Sequence, residues 1–226
     1  MASHATQSSP ARERRSRSDH FSSRRAEIVD IAAHLFATNG YAATGIARIG
    51  DEAHLARGAL YYYIKSKETL LGEIHDRVMD PLLSTAAEVA GLDAPVEVRL
   101  RLISEALLTQ IIERHDHVWV FLHEYRSLTG QRLQHFRSRR RQFEDYISAL
   151  LNEGRTRGRF DFDDTRLATL AFLNLHNYSY QWIRAESRFS AAELSRFFCR
   201  VFLGGISTSS NASDLEASVS AIRATP

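Results

Sequence analysis

Between Arg48 and Lys67 the chain gathers side chains suited to holding a polyanion rather than to breaking bonds. Arg48 and Arg57 carry planar guanidinium forks, which can bond guanine O6 and N7 together. Tyr61 and Tyr62 carry hydroxyls that donate to phosphate without adding charge. Gly58 and Ala59 lack bulk, so the backbone there can approach a surface closely. Lys67 follows Ser66 at a helix start, where a cation is electrostatically misplaced unless an anion faces it. A local rule broken in this way points to function.

Other constellations carry less. His115-Asp116-His117 could hold a metal, but two histidines two apart diverge on a helix, so the segment reads as a surface loop. Cys199 sits in an apolar run and reads as a buried structural thiol. As the one cysteine, it excludes an intramolecular disulfide and a Cys-based zinc cluster. There is no Gly-rich phosphate loop, no G-x-S-x-G and no zinc signature, so no catalytic and no metal residue is assigned. Asn174, Tyr178 and Trp182 fall at i, i+4, i+8 amid apolar residues, beside His176, Asn177 and Tyr180. Buried polar groups there need partners: a ligand, a second subunit or water. Trp119 and Phe143 join them as candidate pocket aromatics, with core packing the competing role for each.

These residues must be positioned by helices. Ile28, Ile31, Ala32, Leu35 and Phe36 define one helix, about 24–38, stopped by Asn39-Gly40. Thr44 offers an N-cap to a second, lined by Ile46, Ile49 and Ala53. His54-Leu55 is a tight break before a third helix, Ala56 to Tyr62, with Leu60 inside and Tyr63 half in. Ser66 caps a fourth, expected to end at Pro81. Two short helices on a minimal turn describe a helix-turn-helix. Further helices are expected over Glu97–Arg114, Val118–Leu128, Gln131–Gly154, Thr165–Ala185 and Ala191–Leu203; Ser190 and Glu193 form a capping box for the last. No run alternates as a strand would, so the fold class is all-α. Expected domains are a disordered basic arm (1–22), a helix-turn-helix domain (23–72), a larger helical domain (73–206) and a flexible tail (207–226).

The 226 residues carry 29 basic and 27 acidic side chains, net +2. Arg12, Arg14, Arg15, Arg17, Arg24 and Arg25 against Glu13 and Asp19 give the first 25 residues +4. A basic N-terminal portion suits an anionic partner. No apolar run approaches the ~20 residues that span a bilayer, and no apolar stretch follows the N-terminal arginines as in a secretory signal. No membrane role and a cytoplasmic location are therefore expected.

The stretch Thr44 to Leu70, with the preceding Leu35-Phe-Ala-Thr-Asn-Gly-Tyr41, resembles the DNA-binding domain of TetR-family transcriptional regulators. Gly58, Leu60, Tyr61, Tyr62-Tyr63, Lys67 and Leu70 fall at that family's spacing. Gly50 stands where alanine is usual, at about 1 kcal/mol of helix propensity. His54 stands where glycine is usual in the turn. The resemblance implies a three-helix DNA-binding domain followed by a ligand-binding and dimerisation domain, about nine helices in all. It places phosphate contacts on Thr44, Tyr61, Tyr62 and Lys67, and base reading on Arg48, Arg57 and Ala59, with Gly58 at the close approach. It implies a homodimer formed by the last two long helices. Leu167, Leu170, Ala171, Leu194, Phe197, Phe198, Val201 and Phe202 would form the dimer interface.

The C-terminal half also resembles a subgroup responsive to acyl-CoA thioesters, including repressors of fatty-acid and sterol-side-chain catabolism. The residues are His123-Glu-Tyr-Arg-Ser-Leu128, Leu151-Asn-Glu-Gly154, Gly158-Arg-Phe160, Gln181-Trp-Ile-Arg184 and Leu203-Gly-Gly-Ile206. Candidate effector contacts are then Trp119, His123, Arg126, Phe143, Asn174, Asn177, Tyr178, Trp182 and Arg184. The implied protein is a DNA-binding repressor of a palindromic operator, not an enzyme, with a small-molecule effector rather than a cofactor. A drug-sensing repressor of an efflux pump is the alternative within the class; a helical lipid carrier or enzyme is the alternative outside it.

Overall fold

The computed structural model describes residues 10–183, 188–206 and 220–221, with the side chains of 10–17 left aside. Among the described residues there are nine α-helices, two short 3-10 turns and no strand-built sheet. The chain divides into two compact units, Met1–Ile74 and His75–Pro226.

The first unit holds α1 (Pro10–Asn39), α2 (Ile46–Glu52), α3 (Arg57–Tyr63) and the start of α4 (Lys67–Ala90). Ile28, Ala32, Leu35 and Phe36 of α1 are buried with Ile49 of α2, Leu60 of α3 and Leu70 of α4. Gly40, at φ 82°, ends α1, its N–H returning to the Phe36 carbonyl at 3.0 Å. Ser66 caps α4 by accepting from the Thr69 N–H at 3.0 Å.

Helix α1 starts upstream of the expected boundary. Residues 10–22, expected in a disordered arm, lie on it. Pro10 suits a first helical position, and about three turns further on the Phe21 ring stacks on Tyr63 at 5.1 Å. Residues 1–9 of that arm lie outside the described residues, as does the expected tail apart from 220–221.

In the second unit, α4 runs on to Ala90, followed by α5 (Val96–Glu113), α6 (His115–His123), α7 (Gly130–Thr156), α8 (Thr165–Asn177) and α9 (Ala191–Ile206). Pro81 does not end α4. A proline forfeits one helical bond, and burial of Val78, Met79, Leu82 and Ala86 around it outweighs that loss. Helix α5 is the spine, buried on most sides, and it packs chiefly against α9. Its Arg101 is 1% exposed and donates to the Ser195 hydroxyl at 2.7 Å and the Ala192 carbonyl at 3.0 Å. Ser190 and Glu193 form the expected capping box, each backbone N–H bonding the other's side chain, at 2.8 and 3.2 Å.

Two expected spans change. The segment from His115 is helical rather than a loop, and His117 is buried. The helix expected over 165–185 stops at Asn177 and gives way to a 3-10 turn, Tyr178–Gln181. Ser179 there donates its hydroxyl to the His176 carbonyl at 2.6 Å, satisfying a helix-end acceptor.

Candidate nucleic-acid interface and ligand cavity

Helix α3 buries one residue, Leu60, and turns Arg57, Gly58, Ala59, Tyr61 and Tyr62 outward. Tyr62 is 72% exposed and Tyr61 43%. The Arg57 guanidinium lies 5.9 Å from the Tyr61 ring centre, one turn on, so both occupy one exposed face. Arg48 is exposed on α2. Tyr63 is half-buried, since three consecutive tyrosines cannot share a face.

The turn between α2 and α3 depends on two unusual residues. His54 sits at φ 53°. A Cβ on Gly50 would lie 3.1 Å from the Leu55 carbonyl oxygen and 3.3 Å from a Leu60 methyl. Glycine there gives up helix propensity and gains close approach of the turn, whose Leu55 N–H reaches the Gly50 carbonyl at 2.8 Å.

Two residues sit differently from expectation. Thr44 is fully buried, its hydroxyl shared between the Gly40 carbonyl at 2.9 Å and the Leu35 carbonyl at 3.2 Å. It cannot reach a phosphate, and the N-cap of α2 is Gly45 with no side-chain bond. Thr44 instead ties off carbonyls at the end of α1. Lys67 is half-buried, its ammonium 4.1 Å from the Tyr41 ring centre and 3.4 Å from the Ala42 carbonyl. The ring face and the carbonyl supply the negative potential that the helix start denies it.

A pair of arginine clamps has no signature in the sequence. Arg24 donates to the Ala53 carbonyl at 2.6 Å, closing α2. Arg25 donates to the Tyr63 carbonyl at 3.2 Å, closing α3, and pairs with Glu73 at 2.5 Å. By charge both belong to the basic N-terminal portion, yet both hold the helix-turn-helix from within.

The second unit contains a cleft partly open to solvent. Its wall is apolar, with Met79 and Leu82 from α4, Leu107 from α5, Phe121 from α6, Phe143 from α7 and Leu173 from α8. Gln110, Asn177 and the bonded pair Arg140–Glu144 (3.2 Å) are its polar lining. Among described residues, the Gln110 Oε1 is buried without a hydrogen-bond partner. So are both ring nitrogens of His75, which packs on Phe121 and Phe136 with ring centres 5.4 and 4.8 Å away. Burial pushes the His75 pKa down to about 4, so its ring is neutral near pH 7.

Arg140 also belongs to a basic cluster. The Tyr125 phenol is held below its usual range by a hydrogen bond from Arg126 (3.4 Å), by the Arg126 charge, and by Arg140 and Arg137.

Of the nine expected effector contacts, Phe143 and Asn177 line the cleft. Arg126 belongs to the basic cluster, and Arg184 lies outside the described residues. Trp119 stacks on His123 at 4.5 Å, and His123 accepts from the Tyr180 hydroxyl at 3.0 Å. Neither lines the cleft. Tyr178 and Trp182 are 69% and 52% exposed, and Asn174 is exposed on α8 with them. The helix stops at Asn177, so the expected i, i+4, i+8 face does not exist and these three turn outward. His176 is buried and satisfied, bonded to Ser104 at 2.6 Å and to the Phe172 carbonyl at 2.7 Å.

The expected dimer residues also divide. Leu167 (67%), Leu170 (37%), Phe197 (52%) and Val201 (52%) are exposed apolar groups, and Ala171 is exposed among them. Leu194 and Phe198 are buried in their own subunit, and Phe202 is half-buried with its ring 5.3 Å from Phe172. Helix α9 is apolar on two sides, and these three face inward. Cys199 is buried, as expected.

Among the described residues no group of three His, Cys, Asp or Glu side chains could hold a metal ion, and no helix is long and apolar enough to cross a membrane.

Residues 28–74 match the family described as "Bacterial regulatory proteins, tetR family". Residues 93–206 match "Tetracyclin repressor-like, C-terminal domain". The HTH-type transcriptional repressor KstR2 of Mycobacterium tuberculosis is 28% identical over 186 residues, 81% of this chain and 93% of its own length. The solved structure of the ketosteroid transcriptional regulator KstR2 of Mycobacterium tuberculosis superposes with a TM-score of 0.76 over 82% of this chain and 96% of that one, at 28% identity. PfmR, a TetR-family regulator of Thermus thermophilus, gives 0.72 over 78% and 97%, also at 28% identity. The chain belongs to the tetR family of bacterial transcriptional regulators.

Proposed function

We propose that the protein is a homodimeric repressor that reads a palindromic operator with α3 and releases it when an acyl-CoA thioester occupies the second-unit cleft. One observation carries the DNA reading: α3 buries Leu60 alone and offers Arg57, Gly58, Ala59, Tyr61 and Tyr62 to a partner. A short helix so exposed gains little from its own fold and suits insertion into a major groove. Arg57 and Arg48 then read base edges, Ala59 and Gly58 allow close approach, and Tyr61, Tyr62 and Lys67 hold phosphates.

The exposed apolar residues of α8 and α9 fit an isologous interface. The repressor KstR2 is described as a ketosteroid transcriptional regulator, which sets this chain beside a regulator of lipid chemistry. An apolar cleft with Arg140 at its lining, continuous with Arg126 and Arg137 around Tyr125, suits an apolar acyl group joined to a polyanionic head. Coupling follows from α4. Met79 and Leu82 touch the cleft on the helix that begins at Lys67. A ligand that favours one placement of α4 shifts the population competent for DNA. The action is regulatory rather than catalytic and takes place where the chromosome lies, in the cytoplasm.

A gel-shift titration with the chain's own upstream DNA, with and without acyl-CoA thioesters, tests this. Release by a thioester and not by its free acid is expected. Release by cationic drugs alone would assign efflux control, and no binding to any DNA would overturn the regulatory reading. Phe197→Glu should give a monomer by light scattering that binds the operator at least tenfold more weakly.

A further inference from the structure

We propose that the effector carries a hydroxyl on its apolar part, seated against Gln110. This rests on the cleft being the effector site. The cleft is walled by side chains such as Met79, Leu107, Phe121 and Phe143, which ask only for hydrocarbon. A plain acyl chain would complete such a wall, and Gln110 would be a fault in it. Gln110 is 7% exposed, lines the cleft, and holds Oε1 buried with no partner. A buried amide oxygen left unpaired has lost its water and gained nothing in return, a cost that folding alone does not recover.

His75 repeats the pattern nearby. It is 3% exposed, lies one turn before Val78 and Met79, and packs on the cleft residue Phe121. Neither of its ring nitrogens has a partner. His75 stands behind the cleft residue Phe121 rather than in the lining, so the unsatisfied polar atom of the lining itself is Gln110 Oε1. A hydroxyl donates to Gln110 Oε1 and so supplies the partner that the apolar wall does not. Sites built to bond a hydroxyl reject the analogue lacking it far more strongly than apolar pockets sort methylenes.

The test is calorimetric titration of the full chain with two series. The first is dodecanoyl-CoA, its derivatives hydroxylated at successive carbons, and the O-methyl ethers of those derivatives. The second is the same alcohols and ethers as free acids without CoA. One hydroxylated position should bind at least tenfold more tightly than the plain chain, and its ether, which cannot donate, should lose that gain. Gln110→Met, of similar volume, should erase the preference of alcohol over ether. The wild-type alcohol–ether comparison decides the matter even if the variant misfolds. Equal binding of alcohol, ether and plain chain, or a preference that survives in Gln110→Met, overturns the proposal. A Gln110-dependent preference in the acid series with no thioester binding would keep the hydroxyl and discard CoA. Absence of binding in both series removes the cleft as an effector site and the proposal with it.

Discussion

Arg24 donates to the Ala53 carbonyl at 2.6 Å, reaching from α1 to the end of α2, 29 residues on. Its neighbour Arg25 does the same for the Tyr63 carbonyl at the end of α3. Helix ends carry orphan carbonyls and partial negative charge, so a cation there satisfies both. One turn of α1 thereby fixes the C-terminal ends of both helices of the DNA-reading unit.

Arg25→Met should therefore act on stability rather than on charge. It keeps the apolar stem and removes the bonds to Tyr63 and Glu73, at an expected cost of about 1–2 kcal/mol. The melting temperature should fall while the salt dependence of operator binding keeps its slope. An arginine on a phosphate would behave oppositely, lowering the slope by about one with melting unchanged. Salt-dependent binding and thermal melts on the same variant separate the two roles.

Thr44, Arg57 and Lys67 should separate likewise. Thr44→Val buries a methyl where a hydroxyl bonds two carbonyls, so about 1–2 kcal/mol of stability goes and the salt slope stays. Arg57→Ala should leave melting unchanged and cost about 1–3 kcal/mol of discrimination between operator and scrambled DNA. Lys67→Ala should weaken both DNAs alike and lower the slope by about one. An unchanged slope in Lys67→Ala would give that ammonium wholly to Tyr41 and Ala42.

What was legible in the sequence was local. Asn39-Gly40, Ser66 and the Ser190–Glu193 box act within four residues of themselves, and the structure uses each as its chemistry suggests. His54, which stands where the resemblance puts a glycine, takes the left-handed conformation, at φ 53°. Partners distant in sequence were not. Pro81 reads as a stop until the apolar residues around it are seen to be buried. Thr44 reads as a cap until its hydroxyl is found turned back to Leu35. Asn174, Tyr178 and Trp182 share a face only on a helix that continues, and it stops at Asn177. The cleft was the least legible element. Gln110 looks like any polar residue of an amphipathic helix, and only its burial without a partner distinguishes it.

Gly154 shows how a ligand-like motif can be structural. A Cβ there would lie 2.1 Å from the Phe160 ring, which sits directly on the glycine. Gly158, at φ 67°, turns the chain so that the Arg159 N–H meets the Gly154 carbonyl at 2.8 Å. The Gly154 and Gly158-Arg-Phe160 pattern is thus a lock at the end of α7. Gly154→Ala should cost about 1–3 kcal/mol, read as a lower melting temperature, because the Phe160 ring must shift. Phe160→Ala in the same background should recover part of that strain while losing the ring's burial.

Two buried histidines should make the second unit acid-sensitive. Burial holds both His75 and His176 at about 4, although the Phe172 carbonyl bonded to His176 favours its charged form. In the unfolded chain each returns to about 6.5. A depressed folded pKa means that above 6.5 both states are neutral and the full stability is present. Between 6.5 and 4 the unfolded chain takes up protons that the folded chain refuses, and stability falls. Each histidine should cost about 2 kcal/mol by pH 5. His75→Leu removes one of these protons and fills a site between Phe121 and Phe136. The variant should match or exceed wild-type melting at pH 7.5, and its advantage should widen steadily to pH 5. A constant difference across that range would mean that His75 takes up its proton in the folded state.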